Sequence, residues 1–491
     1  MSDSILQVKP ASVPPLDPAY QPAVLGNRAF LKAVRESGKG VPLIIGIERN
    51  NGALAVYKTQ VFGPGAGHDS ENLYYAERVI KFLLWQKGGH KVIVGGPAQI
   101  GDHIKKAYST GGDASGVAKG IARGDAPGPR AFDANFMGMD VYEKPFTVVS
   151  TTADQVPPEN ERFAPKGGNL DGCRIGFDAG ASDRKVAAVI DGKSVYSEEV
   201  IWNPKEQKDP SYHFNEINAA LKAAAAKMPR VDAIGVSSAG VYIDNRAMVA
   251  SLFRGVANAS KELFDKKIKP LFLDLQKAWG GIPMEVCNDG EVTALAGAMN
   301  IGDGAVLGIA MGSSEAAGYV TSDKFLTEWL DELAFAPIDY NPNAPEDEWS
   351  KDIGCGVQYF SQVGAIRLAT AAGIALPREQ SPAEKLKTIQ ETLAKGDPKA
   401  RQVFESIGCY LGYTLAHYSD FYDIRHVLVL GRVVSGDGGN IIMEKTRAIL
   451  KSEFPDLGSR LKIHLPEEEA ERRVGQAIAA ASLPVIKKAG K

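Results

Sequence analysis

The sequence has few cysteines, and none of them is paired at the spacing of metal ligands. Its 491 residues include four cysteines scattered along the chain, Cys173, Cys287, Cys355 and Cys409. Secreted disulfide scaffolds are rich in cysteine, and cysteine-based zinc sites use closely spaced pairs. The sequence therefore argues against both kinds of protein and favours a reducing compartment.

The sequence also lacks the marks of an exported, membrane-bound or nucleic-acid-binding protein. It starts Met-Ser-Asp-Ser-Ile-Leu-Gln, without a basic segment followed by an apolar one. No apolar run approaches the roughly 20 residues of a membrane helix. The formal net charge of −3 indicates no basic surface for nucleic acid or anionic lipid. We expect a soluble, cytoplasmic protein that binds neither nucleic acid nor membranes.

The N-terminal third reads as an arm followed by an α/β module. The length of the chain predicts about two to four domains. Residues 1–25 are rich in proline and predict an extended arm. Residues 26–170 predict a module and its linker, with the following parts: a hairpin over 42–60, a helix over 70–87, a strand over 91–96, a helix over 98–108, a glycine-rich loop over 110–130 and a linker over 152–171.

A second α/β unit begins at Arg174, where apolar strands alternate with helices to the end of the chain. The predicted strands include 174–180, 231–238, 281–289, 305–311 and 426–431, and the predicted helices include 213–227, 291–299 and 470–481. The N-terminal module has a weakly similar order of strands and helices, which is consistent with a degenerate copy of parts of the same fold. Strands that end in glycine occur in any α/β protein, so this similarity is not specific.

Four polar or glycine-rich segments follow predicted strands, and the first two carry carboxylates. Asp178-Ala-Gly180-Ala-Ser182-Asp-Arg-Lys185 could bring backbone amides to a phosphate and hold Mg²⁺ through water, or it could be a simple β-turn. Asn288-Asp289 stands where a strand runs into a helix. Asp289 could accept a proton from a substrate hydroxyl beside the Asn288 amide, or the pair could only cap the helix.

The other two segments are rich in small residues and glycine. Gly312-Ser313-Ser314 suits a second turn that faces phosphate, and Gly431 to Gly436 suits the adenosine of a nucleotide. Each is by itself weak evidence, because turns of this composition are common. The order of all four segments, each after a predicted strand, is more specific.

That order resembles the repressor–ORF–kinase (ROK) family of sugar kinases, within the actin / sugar kinase / heat-shock ATPase superfamily. The resemblance covers about 174–485. The first phosphate motif of the family resembles Asp178-Ala-Gly180-Ala-Ser182, and its Asn-Asp pair resembles Asn288-Asp289. Its sugar loop resembles Ser238-Ala-Gly240, and its adenosine motif resembles the turn at Gly431.

The resemblance implies two ribonuclease-H-like lobes around a cleft, over residues 171–300 and 301–491. It implies ATP and Mg²⁺ as cofactors, a small sugar as substrate and Asp289 as general base, with Asp178 holding Mg²⁺ through water. The implied nucleotide-binding residues are Asp178, Gly180, Ser182, Lys185, Gly312, Ser313, Ser314, Gly431 and Gly436. The implied substrate-binding residues are Ser238, Gly240, Asn288, Asp289, Glu332 and Gln358.

The sequence departs from the family where zinc would bind. The family's Glu-Leu-Gly-His reads Glu332-Leu-Ala-Phe335, and its cysteine cluster is reduced to Cys355. Gln358 stands in place of a glutamate, and Arg432 in place of a glycine. We therefore expect no zinc and a sugar pocket unlike a glucose site.

These departures leave two other functions open. A non-catalytic sugar-binding or regulatory protein could keep the fold, although residues 26–150 do not resemble a DNA-binding helix-turn-helix. An ATPase coupled to a partner protein is the other alternative. The sequence does not decide the oligomeric state, and a homodimer is one option.

Overall fold

Alternating strands and helices form the framework of the molecule. A computed structural model describes residues 4–111, 126–181, 183–249, 251–465 and 469–486. In this part of the chain, three larger sheets and one two-stranded ribbon carry helices between their strands. The predicted α/β class is confirmed.

The first sheet belongs to the N-terminal module, and its strand order is β2-β1-β3-β4. The elements of this region are α1 (Ala23–Glu36), β1 (Gly40–Glu48), β2 (Leu54–Phe62), α2 (Asp69–Lys87), β3 (Lys91–Gly95), α3 (Ala98–Ala107), α4 (Ala131–Asn135) and β4 (Thr147–Thr151). The predicted hairpin is confirmed. Asn51 and Gly52 adopt φ of 60° and 72° in its turn, a conformation that Asn and Gly accept more readily than other residues.

The residues that precede this sheet are packed, in contrast to the expected arm. Residues 4–21 contain no helix, yet Leu6 and Tyr20 are fully buried and belong to the core that also includes side chains of the C-terminal helices. The ring of Tyr20 lies 4.8 Å from that of Tyr410. Of the predicted loop over 110–130, residues 112–125 lie outside the described part of the chain.

The second sheet forms the first lobe, with strand order β11-β8-β5-β6-β7. The elements are β5 (Cys173–Ala179), β6 (Asp183–Ile190), β7 (Lys193–Ile201), α5 (Pro210–Ala225), β8 (Ala233–Ser238), β9 (Val241–Ile243), β10 (Arg246–Val249), α6 (Arg254–Ala259), α7 (Lys261–Leu263), α8 (Leu271–Ala278), β11 (Met284–Asn288) and α9 (Asp289–Ile301). Strands β5, β8 and β11 are parallel, whereas β6 and β7 extend the sheet through antiparallel pairings.

The third sheet forms the second lobe, with strand order β13-β12-β14-β15. The elements are β12 (Val306–Met311), β13 (Glu315–Val320), α10 (Gln362–Ala371), α11 (Pro382–Ala394), α12 (Pro398–Tyr418), β14 (His426–Leu430), α13 (Asp437–Glu453), α14 (Pro455–Arg460), β15 (Lys462–His464) and α15 (Glu469–Ala481). Strands β12, β14 and β15 are parallel.

The last helix, α15, returns to the first lobe. A Cβ at Gly176 of β5 would overlap the carbonyl of Ala477, and a Cβ at Gly235 of β8 would overlap the carbonyl of Ala480. Only glycine allows the helix backbone to lie this close to the sheet. Helix α15 therefore links the two lobes.

The N-terminal module and the second lobe share one apolar core, whereas the first lobe has a core of its own. One core joins side chains of the N-terminal module to those of the second lobe, whereas the face of the first lobe's sheet that carries α5 has a core of its own. The predicted boundaries near 25, 170 and 300 remain predictions. Among the described helices, none combines the length and apolar character needed to cross a membrane.

Candidate active site

The polar residues predicted on the first lobe lie at one edge of its sheet. In the parallel strands β5, β8 and β11, Asp178 pairs in register with Ser237, and Ser238 pairs with Asn288. The carboxyl ends of the three strands therefore meet, and ligands of open α/β sheets bind at this edge. Asp289 follows directly as the first residue of α9.

Asp178 is buried at the end of β5 and has two polar neighbours. The hydroxyl of Ser237 donates a hydrogen bond to its Oδ1 at 2.8 Å, and Lys185 Nζ lies 3.6 Å from its Oδ2. Burial raises the pKa of Asp178, and Lys185 opposes the rise. Lys185 also pairs with Asp183 at 2.6 Å. At this strand end, a carboxylate suits Mg²⁺, which prefers oxygen ligands, and an ammonium group suits the phosphate that accompanies the metal.

The predicted glycine turn after Asp178 is partly described. The indole of Trp202 donates a hydrogen bond to the carbonyl of Gly180 at 2.8 Å, which fixes the turn. Ser182, a predicted phosphate ligand, lies outside the described residues.

Asn288, rather than Asp289, caps helix α9. Its side-chain oxygen accepts a hydrogen bond from the Gly290 N–H at 2.7 Å, and Glu291 accepts one from the Asn288 N–H at 3.1 Å. This reciprocal pair is a capping box. Asn288 thus fills the capping role that the sequence left open for the pair, and the Asp289 carboxylate accepts a hydrogen bond from the Gly290 N–H at 3.1 Å.

The surroundings of Asp289 favour a carboxyl group that titrates near neutral pH. Burial, with the charge of Asp178 as the next cause, raises the pKa of Asp289 to about 6. The backbone N–H of Gly290 and the ammonium group of Lys205 oppose this rise. A general base with a pKa near the working pH is well matched to proton transfer.

The predicted sugar loop is tied to Asn288. The side-chain amide of Asn288 donates a hydrogen bond to the carbonyl of Gly240 at 2.8 Å. Ser238 is fully buried, and its hydroxyl accepts a hydrogen bond from Tyr242 at 2.7 Å. Asn288 thus fixes the helix start and the Gly240 loop together.

Glu332 lies near enough to Asp289 for the charges of the two carboxyl groups to interact. Burial, followed by the charges of Asp289 and Asp331, raises the pKa of Glu332 to about 7. The site therefore combines the Asp178–Asp289 pair with a third carboxyl group that carries a proton part of the time near neutral pH.

The short turn that ends at Gln358 lies against the buried carboxyl group of Glu315, to which the sequence analysis assigned no role. Gln358 is buried, at the end of a short turn that begins at Gly356. Glu315 of β13 approaches Gly356 so closely that a Cβ there would overlap its Oε2. Burial raises the pKa of Glu315 to about 8, and the charge of Glu332 adds to the rise.

The two turns predicted to face the nucleotide lie at the carboxyl ends of neighbouring parallel strands, β12 and β14. Ser313 and Ser314 are exposed, and the Gly312 N–H donates a hydrogen bond to the Ser314 carbonyl at 2.9 Å. Gly431 follows β14 with φ of 99°, and Gly436 precedes α13 with φ of 67°. The turns thus share one edge of the third sheet.

The start of α9 touches this third sheet. Gly290 lies against the carbonyl of Ala317 in β13, and Gly318 lies against the backbone of Glu291. Asp289 therefore lies where the two lobes meet. A side chain at this position can contact ligands bound to either lobe.

Sequence reasoning missed Lys205 and Glu315. Lys205 lies 84 positions before Asp289 and carries no local motif. Glu315 directly follows the Gly312-Ser313-Ser314 turn, but an isolated acid gives no sign of being buried. Both belong to the site through contacts that are distant in sequence.

No grouping of three or more His, Cys, Asp or Glu side chains suited to a metal ion occurs within the described residues. At the positions of the family's zinc ligands, Phe335 stacks on Trp85 with ring centroids 4.3 Å apart, and Cys355 is a buried free thiol.

No protein-family model and no curated protein sequence matches this chain. Solved structures do match. A ROK hexokinase from Thermus thermophilus superposes with a TM-score of 0.51 and 19% identity, over 63% of this chain and 97% of its own. A ROK-family transcriptional regulator, a homologue of the E. coli MLC protein, superposes with a TM-score of 0.51 and 20% identity, over 64% of this chain and 79% of its own.

Identities this low establish the fold and not the activity. A kinase and a regulator match equally well, so the comparison does not separate their functions. The chain has the actin-like sugar kinase fold of the ROK proteins, as the order of its motifs predicted.

Proposed function

We propose that this protein is an ATP-dependent kinase that phosphorylates a hydroxyl group of a sugar or sugar-like molecule, with Asp289 as the general base. The observation that carries the proposal is the position of Asp289. It follows a strand that ends at the cleft, Asn288 takes over the capping of α9, and its pKa is raised to about 6.

A sugar hydroxyl is a poor nucleophile until its proton is removed. Asp289 would accept that proton while the hydroxyl oxygen attacks the terminal phosphoryl group of ATP in line. General-base help of this kind is worth about 10²–10⁴ in rate. Lys205 keeps part of the Asp289 population ionised, because its positive charge opposes the effect of Asp178.

The remaining predicted residues divide between the two ligands. Ser238, Gly240, Asn288, Glu332 and Gln358 would bind the sugar. Gly180, Ser182, Lys185, Gly312, Ser313, Ser314, Gly431 and Gly436 would bind ATP. Asp178 would hold Mg²⁺ through water, and the metal would neutralise phosphate charge when bound.

The proposal includes where the protein acts and what it binds. An ATP-dependent reaction and four unpaired cysteines both suit the cytoplasm. The partner is a small sugar, and zinc is not part of the site.

A coupled ADP-release assay with ATP and Mg²⁺ across a panel of sugars tests the proposal. Release that depends on one sugar, with a phosphorylated product seen by mass spectrometry, would support the kinase. ADP release without any sugar would favour the partner-coupled ATPase.

A non-catalytic sugar-binding regulator is the second candidate, because a ROK regulator shares the fold to the same extent as a ROK hexokinase. Isothermal titration separates the two. A regulator of this kind would bind sugar in the absence of ATP and would release no ADP.

A further inference from the structure

Two main-chain hydrogen bonds join the N-terminal module to the predicted sugar site. We use the name substrate loop for residues 331–358, which carry Glu332 at one end and Gln358 at the other. The Asp331 N–H donates to the Gln86 carbonyl, and the Glu332 N–H donates to the Trp85 carbonyl, both at 3.0 Å.

These carbonyls lie in the last turn of α2, which ends at Lys87. The last carbonyls of a helix have no partner within the helix, so they need partners from elsewhere. The substrate loop provides them, and its own N–H groups are satisfied in return. A shift of the α2 terminus would therefore move the backbone of Glu332.

Side-chain packing strengthens this junction. The Trp85 ring stacks on Phe335 at 4.3 Å with an interplanar angle of 28°, and its indole N–H donates a hydrogen bond to Asp133 at 3.2 Å. Trp85 is fully buried. The ring thus joins a residue three positions after Glu332 to the interior of the module.

The far half of the substrate loop is held by buried charges from the same module. Asp352 lies 2.9 Å from Arg78, 3.0 Å from Lys81 and 2.6 Å from Arg130. Arg78, Lys81 and Trp85 are spaced at i, i+3 and i+7, so they share one face of α2. One helix face therefore contacts both halves of the loop.

The two halves are also bonded to each other. The Ile338 N–H donates to the Gly354 carbonyl at 2.8 Å, and the Gly356 N–H donates to the Ala336 carbonyl at 3.1 Å. A displacement of either half is thereby transmitted towards both Glu332 and Gln358.

We infer that α2 of the N-terminal module is a positioning element of the sugar site, and that Trp85 is its central positioning residue. The helix fixes the backbone of Glu332 and supports the loop that ends at Gln358. This inference rests on the proposed function for the nature of the substrate.

Trp85→Leu tests the inference, because it removes the stacking on Phe335 and leaves the proposed nucleotide turns untouched. A misplacement of about 1 Å can cost two orders of magnitude in rate, so we expect the sugar KM to rise about tenfold or more. The ATP KM should stay within about twofold. Trp85→Phe keeps an aromatic ring against Phe335 and should restore most of the sugar affinity.

Phe30→Leu is the matched control. Phe30 is a fully buried aromatic residue of the same module. Its ring contacts Phe62 and also Tyr75, which lies near the start of α2 and ten residues before Trp85. The substitution should leave both KM values within about twofold. An unchanged sugar KM in Trp85→Leu, or equal changes in Trp85→Leu and Phe30→Leu, would overturn the inference.

Amide hydrogen exchange separates this inference from the proposed function. A wild-type protein that phosphorylates no sugar would refute the kinase, whereas exchange at 331–335 would still report on the junction between α2 and the substrate loop. Faster exchange there in Trp85→Leu, but not in Phe30→Leu, is the expected result. Identical exchange in the wild type and Trp85→Leu would refute the positioning role of Trp85 even if the kinase is real.

Discussion

Burial and the nearby charge of Asp178 together raise the pKa of Asp289 to about 6, at the edge where strands β5 and β11 end. The two carboxylates are 111 positions apart in the sequence. Parallel strands bring them together, because such strands end at the same edge of the sheet.

This pair gives a prediction for the pH dependence of the reaction. Asp289 accepts a proton only when it is ionised, so kcat/KM should rise with pH, with a midpoint near pH 6. Asp178→Asn removes a charge that raises the pKa of Asp289, so the midpoint should move to lower pH. Lys205→Met removes a charge that lowers it, so the midpoint should move to higher pH.

The measurement is kcat/KM against pH for the wild type and both variants. Shifts in opposite directions would identify Asp289 as the titrating group. Two variants with the wild-type midpoint would mean that another group controls the acid limb.

The buried charges around Asp352 give a prediction for stability. Asp352 is 3% exposed, and the neighbouring cations Arg78, Lys81 and Arg130 hold its pKa well below its usual range despite the opposing effect of burial. Asp352→Asn removes the carboxylate that the three cations share, while Lys81 keeps Asp133 and Arg130 keeps Glu77 as partners. We therefore expect a loss of about 3 kcal/mol in the free energy of unfolding at pH 7, the lower end for a broken buried ion pair.

The sign of the pH dependence follows from the lowered pKa. The stabilisation is complete above the unfolded pKa of about 3.9 and is lost only as the pH falls towards the folded value. The loss in Asp352→Asn, measured by denaturant unfolding, should therefore be the same at pH 5 and pH 7. Asp102 is an exposed aspartate of the same module, and Asp102→Asn should change stability little. Equal effects of the two substitutions would contradict the assignment.

The contact between α15 and the sheet of the first lobe predicts a second stability effect. Gly176→Ala places a methyl group against the Ala477 carbonyl, so the helix must move away and the melting temperature should fall. A Cβ at Gly475, within α15, would meet no neighbouring atom of the described residues within 4 Å, and Gly475→Ala should be neutral or stabilising by up to about 1 kcal/mol. Thermal unfolding of both variants checks this, and a harmless Gly176→Ala would disprove the close approach.

The substrate loop predicts the response to metal removal. Its contacts with α2, including those of its residue Asp352, are hydrogen bonds, ring stacking and ion pairs between described residues. We therefore expect no stoichiometric zinc in the purified protein, and a chelator should leave the melting temperature unchanged. About one tightly bound zinc per chain, or melting at a clearly lower temperature after chelation, would contradict this.

The polar residues at the strand ends could be predicted from the sequence, whereas the contacts between residues distant in sequence could not. Asp178 and Asp289 follow apolar strands, and such a local pattern is visible in one sequence. Lys205 has no local signal, because its role depends on a contact that only the fold creates. The ion pair between Arg78 and Asp352 joins residues 274 positions apart and could not be predicted for the same reason.

Helix α1 shows a second reason why the prediction from sequence failed. Ala23, Asn27, Phe30 and Val34 of α1 are buried at helical spacing, so its pattern was present in the sequence. The prediction of an extended arm over residues 1–25 instead covered the start of this helix. The segment is packed in the structure because apolar side chains within it, such as Leu6, are buried against the rest of the protein.

The catalytic rate of Asp289→Asn tests the central claim most directly. Asn288 retains the cap of α9, so the variant should fold and bind ATP as the wild type does. If Asp289 is the general base, kcat for the sugar should fall by about two orders of magnitude or more, a rise of roughly 2.7 kcal/mol in the barrier. A variant that phosphorylates the sugar at nearly the wild-type rate would contradict the assignment.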